Sequence, residues 1–371
     1  MEVTVSQGDL VRELGLSQGV VEKKTTIPIL SNVLLEAKGE RLYFTATDLE
    51  LGIRCSCPAR VVREGAGTIP ARRLLDYVRL LPGADVNLKF QENQWASLTC
   101  GRSKTRMAGL SRESFPELPE MPEAVAELPV GVVTSMIEKT AFAISNEESR
   151  FTLNGALLVL KPDGLLMVAT DGHRLAYLEA CERTEPVLRE FRALVPKKAM
   201  TELVKLSQEA GPDAKIAVAG NENHLFFRLG ERLLITRRLT GSFPDFERVL
   251  PKENPHEVVL QTAEIKAAVE RVAQFADERS RAIRVQFKPG EVTISSSSPE
   301  TGESEESVPT DYSGPEIDIG FNAQYLLDFF RAISDERMAF GLKDQKSAGE
   351  LRPGANGTNY NYRYVVMPMR I

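Results

Sequence analysis

Apolar residues recur three and four apart in six stretches of the chain, and between those stretches they alternate with polar ones. The first spacing marks one buried stripe of a helix and the second a strand with one covered face. Leu10, Leu14 and Val21 open the series, and Leu74, Leu75, Val78 and Leu81 form the second stripe. Val133, Met136, Ile137, Thr140, Ala141 and Ile144 form the third, and Met200, Leu203 and Val204 the fourth. Ile265, Ala268, Val269, Val272 and Ala276 precede the last, which is Leu326, Leu327, Phe330 and Ile333. Strands are predicted at 33–37 and 156–160, with hairpin turns at Lys38-Gly39-Glu40, Pro162-Asp163-Gly164 and Pro289-Gly290. The order helix, strands, helix, strands therefore runs three times, an α+β unit in triplicate.

Local wording repeats with the pattern. Ala46-Thr47-Asp48 and Ala169-Thr170-Asp171 each end an apolar run, 123 residues apart. Ile69-Pro70-Ala71-Arg72-Arg73 is echoed by Val195-Pro196-Lys197-Lys198 and again by Phe321-Asn322-Ala323-Gln324, at steps of 126. Ser114-Phe115-Pro116 returns as Ser242-Phe243-Pro244. A period of this length is a whole domain, far longer than a solenoid repeat of about 20–50 residues. Prolines cluster at the two joints, Pro116, Pro119, Pro122 and Pro129, then Pro244, Pro251 and Pro255, so the connectors are expected to be stiff. The expected domains are 1–122, 129–251 and 252–371, a division that leaves little chain for a separate catalytic unit.

Composition narrows the class. Of 371 residues 42% are apolar, enough for three cores, and no run approaches the roughly 18 apolar residues of a membrane span. The alternating start Met1-Glu2-Val3-Thr4-Val5 does not resemble a signal peptide, so a cytoplasmic protein is expected. Cys55, Cys57, Cys100 and Cys181 lack paired spacing and nearby histidines, which predicts free thiols and no metal. A net charge of −6 argues against a surface basic all over, though not against one basic face.

No phosphate loop, dinucleotide fingerprint or metalloprotease motif is present, and no cofactor is expected. The one cluster with chemical potential is Thr170-Asp171-Gly172-His173-Arg174-Leu175. Three readings are open for it. Asp171 could orient His173 as a base in a hydrolase or nucleotide-binding enzyme, although the sequence nominates no nucleophile. The Asp-Gly pair could form a polar turn with no further role. The cluster could instead wall a binding surface.

Five strings, in order, resemble the bacterial DNA polymerase III β-subunit family, the sliding clamps. They are Thr26-Ile27-Pro28-Ile29-Leu30-Ser31-Asn32, then 168–176, then Phe243-Pro244-Asp245-Phe246 with Arg248-Val249-Leu250-Pro251, then Tyr312-Ser313-Gly314 with Ile319-Gly320-Phe321-Asn322, and the terminal 364–371. The resemblance spans the chain. It implies the DNA clamp fold, three similar domains of two helices on antiparallel sheets, and a head-to-tail homodimer closing a six-domain ring around duplex DNA without base specificity. It also implies a non-catalytic processivity factor that tethers the polymerase α subunit, the clamp-loader δ subunit, other polymerases and repair proteins through short peptide motifs. A monomeric peptide-binding scaffold is the other non-enzyme reading.

The same resemblance assigns residues. The candidate charges toward DNA are Lys23, Lys24, Arg72, Arg73, Arg79, Lys197, Lys198 and Lys205, of which Lys24, Arg73, Lys197 and Lys198 fall where the family presents positive charge. The seam between copies is expected to set Arg102, Lys104 and Arg106 against Glu300, Glu303, Glu305 and Glu306, with Met107 and Phe275 as apolar contacts. The alternative for the polar stretch 295–307 is a flexible acidic loop. The peptide cleft takes an apolar lining from Leu153, Leu175, Pro244, Val249, Val365, Met367, Pro368 and Met369. Its polar rim takes Thr170, Gly172, His173, Arg174, Arg248 and Arg370. Departures from the family pattern are Thr105 and Gln274 at the seam and Thr152 and Ala348 near the cleft.

Overall fold

The computed structural model of the chain describes residues 1–21, 26–180, 190–300, 302–354 and 360–370. Among them are six α-helices: α1 Gln7–Val20, α2 Ala71–Arg79, α3 Val130–Thr140, α4 Lys197–Ser207, α5 Thr262–Val272 and α6 Ala323–Ala332. The second helix of each copy begins at 71, 197 and 323, so the 126-residue step of the wording is kept to the residue. Local chemistry explains the starts. Ser6 caps α1 by accepting from Asp9 N at 3.1 Å, and Asn322 caps α6 by accepting from Gln324 N at 2.9 Å. The predicted stripes largely match the buried faces, for example Leu10 and Leu14 on α1 and Leu326, Leu327 and Phe330 on α6, whereas Val21 caps α1 and Val20 takes its place on the buried face.

All ladders are antiparallel, and the chain forms two compact units. Unit 1 comprises Met1–Thr134 and Lys198–Arg238. It holds a five-stranded sheet ordered Arg60–Arg63, Glu2–Ser6, Asp85–Phe90, Trp95–Cys100, Ser103–Ala108. It also holds an eight-stranded sheet in which Arg232–Arg237, from the second copy, pairs with Leu51–Pro58, from the first. Unit 2 comprises Ser135–Lys197 and Leu239–Ile371. Its eight-stranded sheet joins Arg174–Ala180 of the second copy to Tyr360–Val366 of the third in unbroken register, Arg174 opposite Val366 through Ala180 opposite Tyr360. A four-stranded sheet follows, ordered Gly302–Pro309, Glu291–Ser298, Ala282–Lys288, Ile317–Asn322.

Each copy thus has two helices and antiparallel strands, as its pattern predicts, but the sheets do not stop at the repeat boundaries. Pairing one copy's outer strand with the next satisfies a row of backbone groups that would otherwise be an open edge. Sequence periodicity carries no record of that pairing, because a strand buried on a shared ladder alternates like any other.

Glu291–Ser298 and Gly302–Pro309 pair as a hairpin from Glu291 opposite Pro309 to Ser298 opposite Gly302, so the described part of 295–307 is a strand pair and not a loose loop. Buried charge in unit 1 is paired: Glu13 of α1, 1% exposed, is held by Arg232 Nη2 at 2.9 Å. An unpaired carboxylate at that depth would cost about 3–5 kcal/mol, by analogy with broken buried pairs. Cys55, Cys57 and Cys100 are buried free thiols, and burial, with Asp9 adding to it, pushes the Cys57 thiol up to about 12. Cys181 lies outside the described residues. No helix among the described residues is long and apolar enough to cross a membrane.

Candidate functional site

The 170–175 cluster is a turn between strands Gly164–Thr170 and Arg174–Ala180. Its side chains are spent on closing it. Thr170 Oγ1 donates to the Arg174 carbonyl at 2.6 Å and accepts from Gly172 N at 3.1 Å. Asp171 Oδ1 accepts from His173 N at 2.9 Å and Arg174 N at 3.1 Å. Gly172 takes φ +88°, a left-handed value that favours glycine. The Asp171 carboxylate therefore holds backbone and Arg174, whose Nε lies 3.1 Å from Oδ2; it does not orient the exposed His173 ring. That geometry removes the base-and-orienter arrangement that the hydrolase reading needs. Among the described residues no group of three or more His, Cys, Asp or Glu is placed to hold a metal.

Arg174 is the best-anchored side chain of the region. Its guanidinium meets Asp328 Oδ2 at 2.5 Å, donates to the Phe142 carbonyl at 2.6 Å and lies 4.3 Å from the centroid of the Tyr325 ring. Tyr364 closes the cluster by donating to the Tyr325 carbonyl at 2.9 Å, and burial holds its hydroxyl well above the usual tyrosine range. Arg150 adds an outer brace, Nη1 donating to the Asp171 carbonyl at 2.8 Å. A charge held by this many partners in fixed places acts as scaffold for the apolar surface beside it.

That surface is a half-open cavity of about 110 Å³ within unit 2. Leu153, Thr170, Gly172, Arg174, Leu175, Pro244, Val249, Val365 and Met367 line it, together with Phe246. Two segments far apart in sequence are brought together by one ladder: Leu175 pairs with Val365, and Met367 N donates to the His173 carbonyl at 2.9 Å. Behind the lining, Leu175, Phe246 and Val365 belong to one buried cluster on which Val249, Phe243 and Ala348 pack. The hole is small, apolar and backed by a rigid sheet, which suits insertion of one or two aliphatic or aromatic side chains.

Five of the expected cleft residues stand elsewhere. His173 contributes only its backbone, and its ring is outside the lining. Arg248 is 86% exposed and paired with Asp245 at 2.8 Å. The chain leaves the cavity after Met367, because Met369 N donates to the Gly320 carbonyl at 2.8 Å and so turns the tail toward the four-stranded sheet. Pro368 and Met369 are half-buried on that path. Arg370 ends beside a separate polar hollow with Asp277, Arg284 and Glu305. Phe246 is the lining residue that the sequence did not nominate. It sits in the Phe243-Pro244-Asp245-Phe246 string, and the spacing from Pro244 is its only signal.

The expected DNA-facing charges separate into exposed and engaged. Arg72, Arg73 and Arg79 are exposed on α2, with Arg72 Nε 3.8 Å from Asp76. On α4, Lys198 is ion-paired with Asp48, Lys205 Nζ sits 2.7 Å from Glu202, and Lys197 Nζ donates to Asn146 at 2.8 Å. Burial pulls the Lys197 ammonium below the usual lysine range, the Arg174 charge adding to it and Asp328 opposing. Lys23 and Lys24 lie outside the described residues.

The expected seam residues occupy two outer strands. Ser103–Ala108 is the last strand of the five-stranded sheet and Gly302–Pro309 the last of the four-stranded one. Arg102, Lys104 and Arg106 are exposed, as are Glu300, Glu303 and Glu305. Two of the expected seam residues are already engaged within the chain. Met107 is 6% exposed, its side chain already covered by its own unit, so it offers little apolar surface. Glu306 is gripped by Arg271 through two bonds of 2.7 and 2.8 Å, so its charge is answered within the chain. Phe275 is half-buried.

Comparison with known proteins agrees with this geometry along the whole length. Three models of the DNA polymerase III beta subunit match in order, the N-terminal domain at residues 1–119, the central domain at 127–245 and the C-terminal domain at 247–370. A beta sliding clamp of Pseudomonas putida is 35% identical over 376 residues, with both chains covered completely. One of Chlamydia pneumoniae is 33% identical over 372 residues, covering 100% of this chain and 99% of its own. Among solved structures, the DNA polymerase sliding clamp of Pseudomonas aeruginosa superposes with a TM-score of 0.91 at 33% identity, covering all of both chains. A sliding clamp of the same organism bound to griselimycin reaches 0.93 at 33% identity, again over the whole of both chains. With three clamp domains of α+β build in sequence and full-length relatives above 30% identity, the chain belongs to the DNA polymerase III β-subunit family, the bacterial sliding clamps.

Proposed function

We propose that this chain is a DNA sliding clamp: two copies join head to tail, encircle duplex DNA, and tether the replicative polymerase and other DNA-handling proteins through the unit 2 cleft, with no catalysis of their own. The observation that carries the tethering role is the cavity between Leu175 and Val365, apolar, preformed and braced by the Arg174 network. Short peptides with leucine or phenylalanine anchors, such as those of the polymerase α and loader δ subunits, suit a hole of that size and lining. The relative bound to griselimycin supports a ligand site on this fold.

Ring closure is supported by the outer strands. Each has an open row of backbone donors and acceptors, and one carries Arg102, Lys104 and Arg106 nearby while the other carries Glu303 and Glu305. Strand addition between unlike ends of two copies would satisfy both rows and fix the head-to-tail sense. Holding DNA by encirclement needs only a diffuse positive lining, for which Arg72, Arg73 and Arg79 are the exposed candidates and Lys197 and Lys198 the engaged ones. The three segments 1–122, 129–251 and 252–371 are read as the repeated domains of the ring.

Retention on DNA tests the proposal. The protein loaded onto a nicked circle should survive a salt wash that strips electrostatic binders, and should be lost when the circle is linearised. Equal loss from circle and line would refute encirclement.

A further inference from the structure

The turn that walls the cleft has a twin in unit 1. Thr47 Oγ1 donates to the Leu51 carbonyl at 2.9 Å and accepts from Leu49 N at 3.0 Å, while Asp48 Oδ1 accepts from Glu50 N at 2.9 Å and Leu51 N at 2.6 Å. These are the bonds of Thr170 and Asp171, position for position. Leu49 takes φ +78° where Gly172 takes +88°. The neighbouring strand repeats as well. The Glu50 carbonyl accepts from Arg237 N at 2.8 Å, as the His173 carbonyl accepts from Met367 N, and Gly52 pairs with Ile235 as Leu175 pairs with Val365. The strap after each Ser-Phe-Pro string repeats too: Leu118 and Met121 pack on Phe226 and Ile235, as Phe246 and Val249 pack in the cluster of Leu175 and Val365.

One substitution changes the outcome. The wall leucine of unit 2 is Gly52 in unit 1, and a Cβ built on Gly52 would stand 2.9 Å from Leu118 Cδ2. Leu118 fills the space that the missing side chain leaves. Arg54 Nη1 then holds Glu120 Oε1 at 3.3 Å, fastening the strap outside the plug.

We infer that unit 1 contains a second groove of the same design, closed in cis by its own strap, residues 116–121, with Leu118, the counterpart of the lining Phe246, lying against Gly52 where unit 2 has Leu175. This rests on the peptide-cleft reading of unit 2. A tethered occupant competes at a high effective concentration, of roughly millimolar order for short connections, so a free peptide is excluded without any change in the turn itself. Each chain consequently presents one cleft although it encodes two.

The test counts peptides per chain. A fluorescein-labelled pentapeptide with one glutamine and with leucine and phenylalanine anchors is titrated to saturation against the full-length protein. The unaltered chain should take one. Gly52→Leu, which restores the wall leucine and evicts Leu118, should take two. Deleting residues 367–371 separates the readings: the count should fall from one to zero in the unaltered chain and from two to one in Gly52→Leu. A Gly52→Leu chain that melts cooperatively yet keeps a count of one overturns the inference. Glu120→Ala gives an independent check that leaves the core untouched. Releasing the Arg54 clasp should speed amide exchange at 117–121 several-fold, and unchanged exchange there would equally overturn it.

Discussion

The turns at 47–51 and 170–174 share their backbone bonds and differ in the cation that answers the aspartate. Asp171 is met by Arg174 of its own turn, 10% exposed, which also binds Asp328 and the Phe142 carbonyl. Asp48 is met by Lys198, which is 46% exposed. A planar guanidinium can join several elements at once, whereas an ammonium on a flexible stem fastens one point and remains hydrated. Identical backbone bonds therefore set only the shape of a turn. Its neighbours decide whether it becomes the rigid wall of an open site or part of a filled joint.

The largest expected difference between the two turns follows from their cations. Arg174→Ala would leave Asp171 and Asp328 without their shared cation, so it should destabilise unit 2 by about 3 kcal/mol or more and abolish binding of the labelled peptide. Lys198→Ala should cost less, about 1 kcal/mol, because Lys198 is half-exposed and Asp48, though its side chain is only 5% exposed, keeps its two backbone donors. Chemical denaturation of both variants checks the contrast, and similar losses would break it.

Next in size is the lining. Met367→Ala removes a side chain that is only partly covered, 38% exposed, and should weaken the peptide roughly tenfold, about 1.4 kcal/mol. Met369→Ala, on the far side of the Gly320 bridge, should change affinity less than about threefold, or about 0.65 kcal/mol. Anisotropy titrations of the two variants rank them; a reversed order would move the cleft toward the tail.

A smaller effect is expected from the charges on α4. Lys197→Glu with Lys198→Glu should lower the slope of log affinity for DNA against log salt by roughly one for each phosphate no longer neutralised. Since Lys198 and Lys197 already have protein partners, the decrease should be smaller than for Arg73→Glu with Arg79→Glu, whose side chains are exposed on α2. Salt titrations of the two double variants measure the ordering.

A last contrast concerns the left-handed position of each turn. Gly172→Ala forces a Cβ into φ +88° and to within 3.0 Å of Arg150 Nη1, and should cost about 1–2 kcal/mol. Leu49→Gly relieves a similar strain but adds chain entropy to the unfolded state, so the net change should stay within about 0.5 kcal/mol. Thermal melts of the pair would show the asymmetry.

Much of this is readable in advance from local chemistry. The stripes running to Leu81, Val204 and Ile333 place the second helices, and the Pro-Ala, Pro-Lys and Asn-Ala words place their first residues, because capping and periodicity act within a turn or two of chain. The cleft is legible where the chain resembles the family's strings, hence Leu175, Pro244, Val249 and Val365. It is not legible where a side chain's destination depends on what lies across a sheet. Met107 reads as an exposed anchor until its own unit covers it, and Glu306 reads as a free charge until Arg271 from α5 reaches it. Arg370 follows the rim in sequence, yet the Gly320 bridge turns it away.

Sequence alone settles the triplicate build, the starts of the second helices and the family, since each rests on contacts between residues close in the chain or on words long enough to exclude chance. Tertiary structure decides which strands of successive copies share a ladder, which cations are engaged, and which of two like turns faces an open cavity. Those outcomes depend on pairs such as Leu175 with Val365 and Gly52 with Leu118, separated by 190 and 66 positions. Only close packing brings such residues within a few ångströms, and there a single missing side chain determines whether a groove stands open or is filled.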